Sequence, residues 1–184
     1  MIETIVILAV LVILALILIG IYNRLVSLRQ TVRQGEADID AQLRQRHDLI
    51  PNLVSTVKGY AKHESQVFDD VIAARNKADN LRGVDPKAEA QLGGAIARVF
   101  ALAEAYPDLK ANANFQALQA ELAEVEDKLA AARRALNAAA ARYNAGRESF
   151  PAVLFAGALG FAPSEFQRIG EHEREVAATP RVEF

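Results

Sequence analysis

The chain begins with an unbroken apolar run. Residues 5–21 read IVILAVLVILALILIGI and contain no charged or strongly polar side chain. Together with its flanks out to Tyr22, a helix over this segment is about 30 Å long at about 1.5 Å per residue, which matches the hydrocarbon thickness of a bilayer. The pattern predicts that residues 1–22 form a retained membrane anchor that contacts the lipid bilayer.

A cleaved signal peptide is the alternative interpretation of this run. Such a peptide starts with basic residues and ends at a cleavage site of small residues. Here the only early charge is Glu3, and LILIGIYNRL contains no convincing cleavage site. Arg24, Arg29 and Arg33 follow the run, and no lysine or arginine precedes it. By the positive-inside rule, we expect a single-pass protein of the inner membrane with its body on the cytoplasmic side.

Beyond Tyr22, apolar residues recur at three- and four-residue steps, which is the period of a helix. A first segment leads from the anchor, and a second continues to Leu81, with Gly83 as its stop signal. Asp85-Pro86 is a start signal for a third, because aspartate caps a helix and proline fits its first turn. The third helix carries a stripe of Leu92, Ile96, Val99 and Leu102.

The last long segment, residues 112–148, has the most regular apolar seam. Its heptad pattern predicts that this face is the main wall of the core. Four helical segments with short connections predict an all-α fold, in which the N-terminal transmembrane helix is followed by an up-and-down four-helix bundle. We expect the anchor at 1–22, the bundle at 23–148 and a C-terminal apolar cap and tail at 149–184. The seam consists of Phe115, Leu118, Leu122, Val125, Leu129, Ala132, Leu136, Ala139 and Tyr143.

Pro51 lies between the first and second segments, within LRQRHDLIPNLV, residues 43–54. A proline inside a helix removes one hydrogen bond and clashes with the preceding turn. Either Asp48 caps a new helix and the chain reverses here, or one long helix bends at Pro51. The uninterrupted apolar phase favours the bend. Length favours the corner, because an unbroken helix over residues 23–81 is about 87 Å long, far longer than the about 55 Å of a helix over residues 112–148. We expect the corner.

Composition narrows the classes of function. The chain is rich in alanine, a strong helix former, and has no cysteine, which excludes disulfides, thiolate metal sites and cysteine nucleophiles. The net charge of −2 provides no electrostatic basis for binding nucleic acid.

Three stretches resemble the LemA family of bacterial membrane proteins: residues 22–64, residues 106–137, and RYNAGRESFPAVLFAGALGFAPSEF near the end. The run DLIPNLVSTVKGYAKHE within the first is highly specific. The resemblance covers nearly the whole chain and implies an N-terminal anchor, a helical body and a membrane location. It implies no reaction, because the family has no settled biochemical activity. The chain departs from the family pattern at Gly35-Glu36, where alanine-tryptophan is usual.

The polar cluster around Pro51 is the first candidate site. Asp40, Arg44 and Asp48 fall at four-residue steps, which predicts an ion-pair ladder on one face. His47 lacks a positioned partner in the sequence, so His47→Ala is expected to leave function nearly intact, whereas Pro51→Ala changes the angle at the corner. The candidate interaction residues here are Arg44, Arg46, His47, Asp48, Pro51 and Asn52.

Gln42 and Arg46 lie near the apolar stripe of the first helix, where aliphatic residues are expected. One interpretation is that helix curvature rotates both to the edge of the stripe. The other is a polar layer that faces Asn52, a partner helix or a second copy and fixes the register of the helices.

The catalytic and metal-binding motifs that the sequence suggests are incomplete. His63-Glu64 begins like a zinc-protease motif, but the position of its second histidine is Val67. His172 lies in a charged tail without a partner in view. We therefore assign no catalytic, cofactor-binding or metal-binding residue, and we expect no cofactor and no enzyme.

Residues 150–162, FPAVLFAGALGFA, form a second apolar segment. At about 20 Å as a helix it is too short to cross a bilayer. In an up-and-down bundle the last helix returns toward the membrane, so Phe150 is expected near the lipid surface. Phe155 and Phe161 are the candidate interaction residues. We expect the segment to fold over the end of the bundle and bury Val153, Leu154, Phe155, Leu159 and Phe161; an interfacial helix on the lipid is the alternative.

Two functions from different classes follow. The first is a non-catalytic, membrane-anchored helical scaffold that binds an unknown membrane or cytoplasmic protein, or a second copy of itself. The second is an accessory subunit or hydrolase-like enzyme that uses the polar cluster at residues 44–52. An active site needs a concave pocket in which titratable groups converge, and this requirement distinguishes the two.

Overall fold

A computed structural model describes residues 1–80 and 85–166 of the chain. This part of the chain consists of helices joined by turns and contains no strand, which confirms the predicted all-α class. The elements in order are α1 (Ile2–Lys58), α2 (Ser65–Asn80), α3 (Pro86–Ala103), α4 (Pro107–Lys110), α5 (Ala113–Glu148) and one short 3₁₀ helix (Ala152–Leu154). The predicted stop signal at Gly83, together with Leu81, His172 and the tail from residue 167, lies outside the described residues.

The apolar run occupies the N-terminal part of α1. It is the one helix within the described residues that is long and apolar enough to cross a membrane. Its most apolar stretch has no buried side chain: Ile5, Leu11 and Leu16 are each more than half exposed. Nothing in this structure covers that surface.

Helix α1 does not end at Pro51, so the predicted corner is wrong. The helix continues to Lys58, and the chain reverses over residues 59–64, where the backbone N–H groups of Tyr60 and Ala61 both bond to the Val57 carbonyl at 3.0 Å. Residues 23–58, which follow the apolar run, form a helical stretch as long as the 36-residue α5. The length argument failed because it carried this helix on to residue 81.

A side chain from the next helix compensates the backbone at Pro51. Proline has no N–H, so the carbonyl four residues earlier, that of His47, loses its partner within the helix. Arg75 of α2 donates from Nε to this carbonyl oxygen at 3.3 Å. Because this hydrogen bond satisfies the carbonyl, α1 passes through Pro51 without a buried unpaired acceptor.

The described residues fall into two compact units, and the expected domain limits at residues 22 and 148 stay predictions. One unit contains residues 38–80 and 85–132. In it α1, α2, α3 and α5 pack as antiparallel neighbours. Lys77 and Arg98 link α2 to α3 through Gln91 and Asp70, and the rings of Phe100 and Phe115 meet edge to face at 5.5–6 Å, with their centroids 5.9 Å apart. These four helices form the up-and-down bundle.

The other unit contains residues 1–37 and 133–166. Here α1 and α5 run antiparallel and approach closely at two glycines. A Cβ atom on Gly35 would lie 3.2 Å from Leu136, and one on Gly146 would lie 2.7 Å from the Leu28 side chain. Gly35, which replaces the alanine usual in the family, therefore lets the two backbones come close together.

Most of the heptad seam of α5 is buried, as the sequence predicts, whereas Leu118 and Ala132 are half-buried. Phe115, Leu122, Val125, Leu129 and Leu136 are each at most 3% exposed. On the opposite side Lys128 hydrogen-bonds Glu124 at 2.7 Å, and this bond holds the pKa of the Glu124 carboxyl below its ordinary value.

The start of α3 also follows the sequence prediction. Asp85 adopts an extended conformation and its side chain accepts a hydrogen bond from the Lys87 N–H at 2.9 Å. Pro86 occupies the first turn, where its missing N–H leaves no carbonyl unpaired. At the start of α5, the Asn112 side chain accepts a hydrogen bond from the Phe115 N–H at 3.0 Å.

We predict that Leu129→Ala lowers the free energy of unfolding by about 2–5 kcal/mol, because it leaves a cavity in a fully buried part of the seam. Urea or thermal unfolding of the full chain in detergent, followed by circular dichroism, measures this loss. Gln119→Ala on the exposed face of α5 is the control and changes stability by less than about 0.5 kcal/mol. Equal stability of the two variants would contradict a buried seam.

Candidate functional site

The structure separates the residues of the predicted cluster. Arg46 and His47 are buried at 4% and 3% exposure. Arg44, Asp48, Pro51 and Asn52 are exposed on the other side of α1. Successive helical residues point about 100° apart, so a run of polar residues cannot converge on one point, and only the adjacent pair Arg46-His47 reaches the interior.

The partner of this pair is Glu89 on α3, which is 4% exposed. Its Oε1 lies 3.0 Å from His47 Nε2, and its Oε2 accepts a hydrogen bond from Arg46 Nη1 at 3.4 Å. One carboxylate therefore engages both buried residues of α1. We call Arg46, His47 and Glu89 the buried polar layer.

Sequence reasoning missed Glu89. The signal was its position: Glu89 lies three residues before Leu92 and so continues the apolar stripe of α3 toward its N-terminus. A carboxylate on an apolar stripe predicts a buried partner of opposite charge, but the sequence does not say on which helix that partner lies.

His47 has a positioned partner, so the sequence-based expectation that it lacks one is wrong. His47 Nε2 faces Glu89, and His47 Nδ1 lies 3.6 Å from a carboxylate oxygen of Asp79 on α2, whose side chain is 53% exposed. A histidine between two carboxylates with both ring nitrogens engaged is held in one orientation. The basis for expecting a neutral His47→Ala substitution is therefore lost.

Arg46 reaches a second carboxylate and fits into a space left by a glycine. Its Nε lies 2.9 Å from Oε1 of Glu126 on α5. The two groups form an ion pair, but the geometry at Nε does not meet that of a hydrogen bond. A Cβ atom on Gly93 would lie 3.0 Å from the Arg46 guanidinium. Arg46 thus faces helices α3 and α5 rather than the edge of the stripe, and Asn52 is not part of this layer.

The predicted ion-pair ladder does not form between side chains of the described residues. Arg44 Nε donates to the backbone carbonyl of Asp40 at 3.3 Å instead of to its carboxylate. Both residues and Asp48 are exposed. Exposed pairs of this kind contribute little to stability in any case.

The buried polar layer offers little surface to a solute. The side chains of Arg46, His47 and Glu89 are at most 5% exposed. Two surface grooves have other linings: one lies between α2 and α3 around Asp70 and Arg98, and the other lies near Asn52. Within residues 1–80 and 85–166, no three histidine or carboxylate side chains are grouped to hold a metal ion.

The second candidate site, the C-terminal cap, is built around Phe161. This residue is 1% exposed. Its ring meets that of Tyr22 edge to face, with centroids 5.5 Å apart, and the Arg29 guanidinium lies 4.9 Å from its centroid, within the range of a cation–π contact. Phe155 is half-buried.

The expectation that the cap buries all five of its large apolar residues is wrong. Val153, Leu154 and Leu159 are 50%, 64% and 46% exposed. The segment forms turns rather than a helix with one apolar face, so of these five residues only Phe161 and part of Phe155 are buried. An apolar edge remains on the surface.

Comparisons with known proteins agree with the resemblance seen in the sequence. Residues 35–184 match the LemA family. The chain is 22% identical to magnetosome protein MamQ of Magnetospirillum gryphiswaldense, over 88% of this chain and 68% of that protein. It is also 22% identical to magnetosome protein MamQ 2 of Paramagnetospirillum magneticum, over 79% of this chain and 64% of that protein.

We predict that Glu89→Ala lowers the free energy of unfolding by about 3 kcal/mol or more, because it leaves the Arg46 guanidinium buried with one remaining partner. Urea unfolding of the full chain in detergent measures the effect, with the exposed Glu121→Ala as control. A triple substitution, Arg46→Met, His47→Leu and Glu89→Leu, recovers most of the loss, since apolar residues replace the whole layer. Wild-type stability of Glu89→Ala would refute a buried, paired carboxylate.

We also predict that Arg75 and Pro51 are coupled. Arg75→Met should cost about 1 kcal/mol in the wild-type chain, because the His47 carbonyl loses its donor. In a Pro51→Ala background the restored N–H of residue 51 can bond to this carbonyl, so Arg75→Met should have little effect. A double-mutant cycle of urea unfolding measures the coupling energy, and additive effects would show that Arg75 does not replace the missing N–H.

Proposed function

Since the chain belongs to the LemA family, we propose that it is a single-pass membrane protein whose helical body is a non-catalytic interaction module. The body binds another membrane or cytoplasmic protein, or a second copy of the chain, beside the bilayer. It needs no cofactor and does not act on nucleic acid.

The anchor is supported by the uncovered surface of α1. A helix with no buried side chain over its most apolar stretch has an apolar surface in contact with whatever surrounds it. In water this surface drives association, whereas in the hydrocarbon of a bilayer it is solvated and its backbone groups are bonded within the helix.

The orientation is supported by the arginines after the span. Arg24 and Arg33 are exposed within about three turns of the end of the apolar run. Basic residues next to a span stay on the cytoplasmic side. We therefore place the body in the cytoplasm and the anchor in the inner membrane.

The non-catalytic assignment depends on one observation, the burial of the polar layer. His47 and Glu89 are 3.0 Å apart, an arrangement that also orients a catalytic base in enzymes. Catalysis, however, requires that a substrate reach the base, and both side chains are only 4% exposed. The layer instead connects α1 to α3 and α5, which is a structural role.

The alternative is an accessory subunit or hydrolase-like enzyme that uses the polar cluster, and the His47–Glu89 contact is the observation that favours it. Glu89→Gln distinguishes the two functions, because it keeps the shape of the side chain and removes its charge. If the chain is a scaffold, the Glu89→Gln variant retains the cellular function of the wild type once stability is restored, for example by growth at lower temperature. If the chain is an enzyme that uses this carboxylate, the variant loses that function at every temperature, although the protein remains folded.

We predict that protease added to intact spheroplasts leaves the body uncut, whereas the same protease cuts it after the membrane is opened. The reason is the cytoplasmic position of residues 23–184. Immunoblotting against the C-terminus gives the readout, and a periplasmic protein serves as the digestion control. Cleavage in intact spheroplasts would reverse the proposed topology.

The partner is sought by crosslinking in native membranes. A photoreactive residue at exposed Asn52 or Asp48, followed by purification and mass spectrometry, should yield a discrete adduct with one protein or with a second copy. The same residue at buried Leu129 is the control. Adducts that are equal at exposed and buried positions would mean that no specific surface is engaged.

A further inference from the structure

The cap exposes a group of large apolar side chains within a few residues of one another. Phe150 is 81% exposed, Leu154 64%, Val153 50% and Leu159 46%. We call these four residues the apolar edge. Single exposed apolar residues are common, but four large ones within residues 150–159 of one ordered segment indicate a surface that contacts another apolar phase.

The apolar edge lies at the level where the membrane anchor ends. Gly146 of α5 is opposite Leu28 and Leu25 of α1, since a Cβ atom on Gly146 would lie 2.7 Å and 3.8 Å from their side chains. The two helices are antiparallel, so Phe150, four residues further on, is level with the turn of α1 around Tyr22. The contact of Tyr22 with Phe161, at 5.5 Å between ring centroids, independently brings the cap to the same level.

The cap is fixed to the two helices rather than loosely attached. The Tyr143 hydroxyl donates to the Ala162 carbonyl at 2.8 Å. The Asn144 side chain bonds both the N–H of Ser164 at 2.9 Å and its carbonyl at 2.8 Å. Because the segment follows directly after α5 and these bonds hold its other end, the apolar edge has a defined position.

The cap also satisfies much of its own backbone. Gly160 has a φ of +76°, and the N–H groups of Gly160 and Phe161 bond to the carbonyls of Gly157 and Ala156 at 3.1 and 2.9 Å. This is the Schellman ending of a helical turn, in which glycine takes the left-handed conformation. Internal bonds of this kind lower the energetic cost of moving a non-helical segment out of water. Five others run from Val153 to Ser149, from Leu154 to Pro151, from Phe155 and Ala156 to Ala152, and from Leu159 to Phe155.

We propose that the apolar edge inserts into the boundary between headgroups and acyl chains of the bilayer that α1 crosses. This inference rests on the proposed anchor. Its occupant is phospholipid, because the edge is level with the end of the span and the cap that carries it packs against that end through the contact of Phe161 with Tyr22. Aromatic rings and exposed arginine near the span, such as Tyr22 and Arg24, are typical of this boundary.

Insertion has a consequence for α1. A single transmembrane helix can rotate about its own axis and tilt. A second contact beside the helix, made by the apolar edge, would restrict both motions of α1 in the bilayer.

Tryptophan fluorescence tests the proposal, since the chain contains no tryptophan. Leu154→Trp adds a single probe at the apolar edge of the full chain, reconstituted in vesicles of phosphatidylcholine and phosphatidylglycerol. We expect a blue-shifted emission and loss of most of its intensity when the vesicles contain phosphatidylcholine brominated near the headgroup end of its chains. Leu159→Trp is a second probe in case the first substitution disturbs the fold, which circular dichroism reveals.

Two control variants separate the possible failures. Ala135→Trp lies on the exposed face of α5, about 20 Å along the helix from Phe150, and should be neither shifted nor quenched. Ile13→Trp lies in the anchor and should be quenched by bromine deep in the acyl chains. Quenching at Ile13 but not at Leu154 or Leu159 refutes insertion and leaves the anchor intact. A blue shift at Leu154 without quenching means that a second copy covers the edge, which also refutes insertion. Absence of quenching at Ile13 refutes the anchor itself.

Discussion

A hydrogen bond from Arg75 to the carbonyl of His47 allows one helix to pass through a proline, and the other contacts of the bundle depend on that helix. Had the chain reversed at Pro51, Leu53, Val54 and Val57 could not continue the apolar face that α1 presents to the core, where each is at most 4% exposed. Proline removes a donor and leaves an acceptor inside a protein, where an unpaired carbonyl is unfavourable. A guanidinium from the neighbouring helix provides the donor without changing the path of the backbone.

The buried polar layer lies immediately beside this bond. His47 provides the carbonyl to Arg75 and the imidazole to Glu89, and Arg46 extends the layer to Glu126 on α5. Buried ion pairs of this kind add little net stability, because desolvation of the charges offsets their attraction. Their effect is on register: a helix shifted by one turn would leave a charge unpaired in the core. The layer therefore favours one alignment of α1 against α3 and α5 among several that apolar packing alone would permit.

In the unit of residues 1–37 and 133–166, the same two long helices lie against each other at glycines and hold the C-terminal cap beside the end of the apolar run. The cap buries Phe161 against Tyr22 and Arg29 and leaves Phe150 and Leu154 exposed. Polar pairing determines register in the bundle, whereas close backbone approach and aromatic contact determine the position of the cap.

Features that depend on neighbours along the chain could be predicted before the fold was known. The apolar run, the start of α3 at Asp85-Pro86 and the buried seam of α5 follow from residue pattern and capping chemistry, which act over a few residues. Features that depend on residues far apart in the chain required the folded structure. Pro51 is compatible with a corner or a continuous helix until Arg75 is placed beside the His47 carbonyl. Glu89 is one carboxylate among many until it lies 3.0 Å from His47. The cap has the same composition whether its side chains point inward or outward, and turn geometry at Gly160 together with the contact to Tyr22 decides which do. For Pro51, Glu89 and Phe161 the partner residue lies more than 20 residues away in the chain. The turn at Gly160 depends on a backbone conformation that the pattern of side chains does not specify.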